Sequence, residues 1–554
     1  VNLLENGLLR WVRGQPIAVS SAGFAGPVVL FLAGLAAATA AGRGGIGLTP
    51  LSYSYAHETL LMASGRMRDA LTQYVLWPPG YSLIAVPIVW LGVSPIRATW
   101  LISVAAFGMT VCLTFLLGRR LTSTTGGILA ALLVLFNPEM LDRANIAMSE
   151  MLLAASILAA LLALDAVYVA WSQPDSTFYA ALAVGAGLLL GWPVSVRYIG
   201  ILVSLLALGV LVAMLAAAPS RWRLIVGALS VTMLMLALIP LRNVLATGGV
   251  TGHPVGGLPA DTFASAFSGA LQGLRTLWSF FAERFRRDLV DAATALGLVG
   301  LCIWGVSRFR RLAVGSLPLV YITALCYVAS HTRIDKMNDR FIMPILPVVV
   351  IALVGAIFSL IDLVRGWPAR SWHRAARWAV LALVIPIAGV GALAAARGVA
   401  LVGKGHTPES DFSPQTVRHI KDHVPPGTML AANQMQLWAF TLDYGFLMIP
   451  WDQPLDNWPR DYGISPWTRL EALKVFVEKD VRYVVLFFGP THGERVLARY
   501  NPGPYVGSSL LTEPLPEVAG VTRLSDGVLV TLADREQLRE LLAKEPPSGA
   551  GPRQ

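Results

Sequence analysis

Charge is unusually scarce in this sequence. Asp, Glu, Lys and Arg make up 14% of its 554 residues, against about a quarter in soluble globular chains. Cysteine is scarcer still: Cys112, Cys302 and Cys326 all fall inside apolar runs. They offer no disulfide framework, and no Cys or His spacing fits a metal-ligand pattern. No small-residue cleavage site follows the first apolar run, so "VNLLENGLLRWVRGQP" reads as the lead into an uncleaved anchor rather than a signal peptide. A formal charge of +10 raises nucleic acid as a partner. The Lys and Arg residues, however, come in short clusters between apolar runs and not along one polar face. That distribution is the positive-inside bias of a membrane protein, so the membrane is the expected partner and nucleic acid is not.

What the sequence has in abundance is apolar length. Hydrophobic residues reach 55%, and a helix needs about 20 of them to cross the hydrocarbon core. Eleven such runs lie near 23–41, 97–117, 125–139, 148–171, 178–193, 198–218, 224–241, 291–307, 313–330, 341–363 and 378–396. The segment "PGYSLIAVPIVWLG" (79–92) is short and carries Pro87. If it rests in the interface without crossing, the basic clusters at Arg10/Arg13, Arg119/Arg120, Arg221/Arg223, Arg308–Arg311 and Arg365–Arg377 all fall on one side. Residues 42–96, "NPEMLDRANIAMSE", "GWPVSVRYIG", 242–290, "SHTRIDKMNDR" and everything after about 400 then lie outside the cytoplasm.

The C-terminal part changes period. "DFSPQTVRHIKDHVPPGTMLAANQ" predicts a helix opened by Ser413 and Pro414, then a turn and a short strand. "ISPWTRLEALKVFVEKDVRYVVLFFG" repeats the order, with Ser465 and Pro466 opening a helix and "RYVVLFF" as a buried strand. A last strand at "GVLVTL" and a helix from Arg535 complete a small α/β domain. The expected organisation is a membrane module over 1–400, an α/β domain over 401–545 and a disordered tail over 546–554.

Ionisable residues inside or at the ends of membrane spans are costly and mark function by default, although many simply snorkel or cap. Glu58 and His57 lie on a helical segment after the first span; Asp142, Ser149 and Glu150 stand at the start of another. Glu150 is harder to explain as a cap than Ser149, because it begins a run where burial is expected. Arg197 occupies a tight connection and can grip a phosphate bidentately, and Arg242 ends a further span. Arg333, Asp335, Lys336, Asp339 and Arg340 crowd one outer loop against the charge rule and want an anionic partner. Carboxylates among several cations suit departure of a phosphate from a sugar carbon. A transporter would show inverted repeats and charges near span centres, and the sequence offers neither.

An ordered set of segments carries a resemblance: "TPLSYSYAHETLLMASGRM", "LWPPGYSLIAVPIVWLG", "GRRLTSTTGGILAALLVLFNPEM", "AMSEMLLAASILAALLAL", "GLLLGWPVSVRYIG", "LRNVLATGGVTG" and "TRIDKMNDRFIMPILP". Taken in this order over nearly the whole chain, they resemble the GT-C class of membrane glycosyltransferases, the bacterial relatives of protein O-mannosyltransferases and of the lipid A aminoarabinose transferase. The resemblance implies an α-helical polytopic module with interfacial helices in its first external loop. It implies a polyprenyl-phosphate sugar donor, a glycan, lipid or protein acceptor, an outward-facing site in the bacterial plasma membrane, and a divalent cation (Mg or Mn) that is not tightly bound. Such enzymes carry an acid after a "TP" like Thr49–Pro50, where this chain has Leu51. Three readings stay open: Glu58 does that acid's work, Glu150 does as the second-loop acid, or transfer has been lost and the protein binds a lipid-linked glycan without chemistry.

The expected function is thus an inverting glycosyltransferase with Glu58 as leading candidate base. His57 orients Glu58 or the acceptor, Glu150 and Asp142 are the supporting carboxylates, and Glu58 and Glu150 are the candidate metal ligands. Arg197, Arg242, Arg333, Lys336 and Arg340 are the expected donor-phosphate contacts.

Overall fold

The computed structural model of the chain describes residues 22–47, 50–73, 77–171, 179–217, 222–247, 343–365, 389, 391–405, 414–432, 444–448, 468–487, 509–512 and 514–544. Its helices are α1 (Ala22–Ala41), α2 (Pro50–Ala63), α3 (Met67–Gln73), α4 (Gly80–Trp90), α5 (Pro95–Leu121), α6 (Thr124–Leu135), α7 (Pro138–Ala144) and α8 (Glu150–Trp171). After these come α9 (Tyr179–Val196), α10 (Ile201–Ala217), α11 (Trp222–Thr247), α12 (Leu346–Arg365) and α13 over residues 391–404. The described residues group into two compact units. One holds α1 and α3–α13; the other holds residues 50–60 of α2 and the C-terminal α/β elements.

In the first unit, five described helices are long and apolar enough to cross a membrane, or six if α6 and α7, bent by 61°, count as one. The runs expected at 291–307 and 313–330 lie outside the described residues, and the one at 378–396 enters them only near its end. α4, within the segment expected to rest in the interface, has 11 residues. That is about 16 Å of rise, half of the roughly 30 Å hydrocarbon core. Its Leu83 and Trp90, and Leu91 just beyond it, are exposed apolar side chains.

Local chemistry sets the breaks. α5 starts at Pro95 behind Ser94 and ends on Arg119 and Arg120, where cations meet the helix's negative end. α6 is capped by Ser123, whose side chain accepts from the Gly126 amide. Asn137 caps α7 in the same way, accepting from the Met140 amide ahead of Pro138. Pro138 cannot continue the ladder of α6, so the chain turns there. α1 and α5 touch backbone to backbone: a Cβ added to Gly34 would sit 2.7 Å from the Gly108 Cα. Small residues at such crossings are how helices associate in lipid, where no hydrophobic force drives them together.

The second unit is built on a five-stranded mixed sheet of order β2-β1-β3-β5-β4. Its strands are β1 (Met429–Ala432), β2 (Gly445–Met448), β3 (Val481–Phe487), β4 (Val518–Leu524) and β5 (Gly527–Leu532). β1 runs parallel to β2 and β3, and β5 runs antiparallel to β3 and β4. The strand period of two sends alternate side chains to opposite faces. Val484, Leu486, Val528 and Val530 pack with Leu473 and Phe476 of α15 (Arg469–Lys479) and Leu538 of α16 (Arg535–Lys544). Val485, Phe487 and Leu529 pack with Val417 and Ile420 of α14 (Pro414–His423). β3 and β5 are therefore buried on both faces, which is why "RYVVLFF" reads as a continuous apolar run.

Of the two helix starts read from the sequence, α14 opens at Pro414 as expected and α15 does not. α15 begins behind Thr468, not at Ser465 and Pro466, and Thr468 forms a full capping box with Glu471. In α14 the first-turn amides of Gln415 and Thr416 donate to Asp526, at 2.8 and 3.0 Å, and the Thr416 hydroxyl donates to it at 2.7 Å. Asp526 sits in the two-residue turn between β4 and β5, so a helix start is capped from more than a hundred residues away. Replacing Asp526 by Ala is expected to cost about 1–2 kcal/mol, as for loss of a strong cap. Amide hydrogen exchange should show this as lost protection confined to α14 and the β4–β5 turn.

Candidate functional site

The start of α8 and the end of α9 meet in an ion pair. Arg197 Nη1 donates to Glu150 Oε1 at 2.6 Å, with side chains only 6% and 2% exposed. Few residues are as costly to bury: a carboxylate and a guanidinium taken from water lose several kcal/mol each unless their geometry and remaining hydrogen bonds compensate. The compensation is incomplete, because the second carboxylate oxygen, Glu150 Oε2, is buried without a hydrogen-bond partner among the described residues. That oxygen is an acceptor shaped for a donor that the described part of the chain does not supply.

Both backbones are fixed close to the pair. Arg197 is in extended conformation at the head of the short turn Tyr198–Gly200, where its amide donates to Pro193 O and its carbonyl accepts from Gly200 N. On the other side, residues 145–148 lie against the chain end of α1. Gly47 N donates to Asn145 O at 2.9 Å and Ala147 N to Gly47 O at 3.3 Å. Asn145 Nδ2 donates to Ala38 O and Leu141 O, both at 3.0 Å.

Arg242 takes a different position from a free phosphate ligand. Its Nε donates to Leu71 O at 3.2 Å and its Nη1 to Trp77 O at 2.8 Å. The guanidinium thereby ties Leu71 of α3 and Trp77 to α11. Next to it, Tyr198 Oη donates to Asn243 Oδ1 at 3.3 Å, which joins the Arg197 turn to the same helix. Asp142 is half-buried on α7. Glu58, fully buried, and His57, half-buried, lie together on α2 in the second unit. Arg333, Lys336 and Arg340 lie outside the described residues. Among the described residues no three His, Cys, Asp or Glu groups converge as a metal donor set.

A second ion pair escapes the sequence reading. Arg120, in the last turn of α5, pairs with Asp165 of α8. Asp165 stands about 22 Å along the helix from Glu150, at the other end of the span. An acid inside an otherwise apolar run was the available signal, and its partner explains it as the neutralised end of a helix contact. A groove between α5, α8 and α9, lined by residues such as Leu113, Ala163 and Gly185, is wholly apolar and contains none of the candidate acids.

No family model and no curated protein matches the chain by sequence. Solved structures match it by fold. ArnT from Cupriavidus metallidurans in the apo state aligns at TM-score 0.53 and 17% identity, covering 92% of this chain and 98% of its own. The same protein bound to undecaprenyl phosphate aligns at 0.53 and 16% identity, with the same coverage. The archaeal oligosaccharyltransferase AglB from Archaeoglobus fulgidus, in complex with an inhibitory peptide and a dolichol-phosphate, aligns at 0.51 and 12% identity, covering 93% of this chain and 75% of its own. The chain is therefore a multi-pass membrane protein with the GT-C fold and a sheet-containing C-terminal region.

Proposed function

We propose that this protein is an integral-membrane glycosyltransferase that moves a sugar from a polyprenyl-phosphate carrier to an acceptor outside the cytoplasm, inverting the anomeric centre. One observation carries the assignment: the buried Glu150, held through one oxygen by Arg197 and presenting the other without a described partner. The acceptor hydroxyl or amine attacks the anomeric carbon from the face opposite the phosphate. The bond from that carbon to the phosphate oxygen breaks, and the phosphate leaves with the electron pair. The acceptor's proton passes to Glu150 Oε2, and a single displacement inverts the centre.

Arg197 holds Glu150 in place through its Nη1. Arg333, Lys336 and Arg340 are assigned to the leaving phosphate's charge on their sequence pattern alone. Arg242 supports the first loop at Leu71 and Trp77. Glu58 and His57 are a second acidic centre, and Asp142 a supporting carboxylate. The fold likeness to ArnT bound to undecaprenyl phosphate and to AglB with a dolichol-phosphate supports a lipid-phosphate donor. The plasma membrane of a bacterium, with the site facing outward, fits the placement of the basic clusters.

Turnover of undecaprenyl-phosphate-linked sugars in membranes containing wild type, Glu58→Gln or Glu150→Gln tests the reading. Glu150→Gln should lose activity by about a hundredfold or more. Glu58→Gln should lose on the order of tenfold, as expected where a group orients rather than reacts. Full activity in both variants would sink the assignment of either acid. Undecaprenyl phosphate binding by wild type without transfer from any donor would point instead to a lipid-glycan binding protein.

A further inference from the structure

Two neighbouring residues at the start of α4 touch the two chain segments that carry the ion pair. Gly80 lies directly against the Ser195 carbonyl, so that an added Cβ would stand 2.4 Å from that oxygen. Ser195 is two residues before Arg197. Tyr81, fully buried, donates its hydroxyl to Thr99 O at 2.7 Å, and its Oη stands 2.7 Å from Ser103 Oγ in a contact where either hydroxyl can be the donor. Ser103 Oγ in turn donates to Met148 O at 2.8 Å and stands 3.3 Å from Met148 N, which donates back to it. Met148 is two residues before Glu150.

We propose that the Gly80–Tyr81 turn of α4 is the template that sets the register of Glu150 against Arg197, with Tyr81 and Ser103 as positioning residues for transfer. The described contacts of Tyr81 and Ser103 lead to the pair through the chain ahead of it. Each acts through a backbone carbonyl or amide two residues upstream of it. The chain Tyr81–Ser103–Met148 is buried, with Tyr81 and Ser103 at 0% and Met148 at 3% exposure. A hydrogen bond lost there is therefore not replaced by water, and the segment that delivers Glu150 must shift or go unsatisfied. On the other side the absence of a Cβ at Gly80 lets α4 seat on the end of α9. The first-loop helix thus does more than cover the membrane surface: it sets the spacing of the two charges.

The inference rests on Glu150 being the reacting carboxylate, and two readouts separate it from that reading. In proteoliposomes with the full chain, Tyr81→Phe removes one hydroxyl and no volume. It should lower kcat about ten- to a hundredfold, with KM for an undecaprenyl-phosphate-linked sugar and affinity for undecaprenyl phosphate unchanged. Ser103→Ala should do the same, and the double variant should lose no more than Ser103→Ala alone, since Tyr81 acts through Ser103. Gly80→Ala should lower kcat further, again at unchanged KM. A rise in KM at constant kcat, or losses that multiply in the double variant, overturns the proposal.

The substrate-free readout is a cycle on the thermal midpoint between Tyr81→Phe and Glu150→Gln. A positioning link makes the two shifts non-additive; additive shifts overturn it. If Glu150→Gln stays fully active while the cycle couples, the catalytic reading falls and the template stands. If Glu150→Gln is inactive while Tyr81→Phe keeps its kcat, the template falls and the catalytic reading stands.

Discussion

Glu150→Gln is expected to lower turnover by about 10²–10⁴-fold, the range for removing a positioned general base. The amide keeps nearly the shape of the acid and can still accept from Arg197, but it cannot take the acceptor's proton. The Gln variant also removes the charge that Arg197 Nη1 meets, so it changes the pair as well as the base. Glu150→Asp resolves this. It keeps the charge and withdraws the carboxylate by one methylene, a displacement of about 1 Å that by itself can cost on the order of a hundredfold in rate. Low kcat in both variants, with undecaprenyl phosphate still bound, places the defect in the chemical step. Low kcat in Gln with full rate in Asp would mean that a carboxylate is required there but its exact reach is not.

The sequence carried the fold further than the site. Periodicity and run length located α1, α5, α8, α9, α10 and α11 within a few residues of their ends, because in lipid each backbone group must be satisfied inside its own helix and a long apolar run has no other solution. In the α/β region β1, β3 and β5 were legible from their apolar runs, whereas β2 and the half-exposed edge strand β4 were not. Helix caps were read less well: the local box of Thr468 and Glu471 was passed over for Ser465 and Pro466, and Asp526 reaches α14 through the sheet. In the site, Glu150 and Arg197 were each visible as costly charges, but their contact was not. It joins the ends of two helices, and nothing in the spacing of Glu150 and Arg197 encodes that distance. Gly80, Tyr81 and Ser103 were silent for a related reason. Their effect lies in backbone groups they touch, and a buried Ser or Tyr in an apolar run looks like ordinary packing until its partner is placed.

Arg197→Ala is expected to destabilise the protein by about 3–5 kcal/mol, the cost of leaving one partner of a buried pair without its countercharge. The thermal midpoint of the detergent-solubilised chain measures it. The informative variant is the double one, Glu150→Met with Arg197→Met. Replacing both charges by apolar groups of similar reach removes the desolvation penalty of each, and such replacements are often neutral or stabilising by about 1–4 kcal/mol. The double variant should therefore melt near or above wild type while transferring no sugar. A pair kept for stability would give the opposite result, a double variant no better than Arg197→Ala. The distinction follows from the geometry itself. A buried ion pair with one carboxylate oxygen left over is a poor way to hold α8 against α9, when the apolar contacts along both helices already do so. Stability gained and activity lost in the same molecule would show that the charges are there for the substrate.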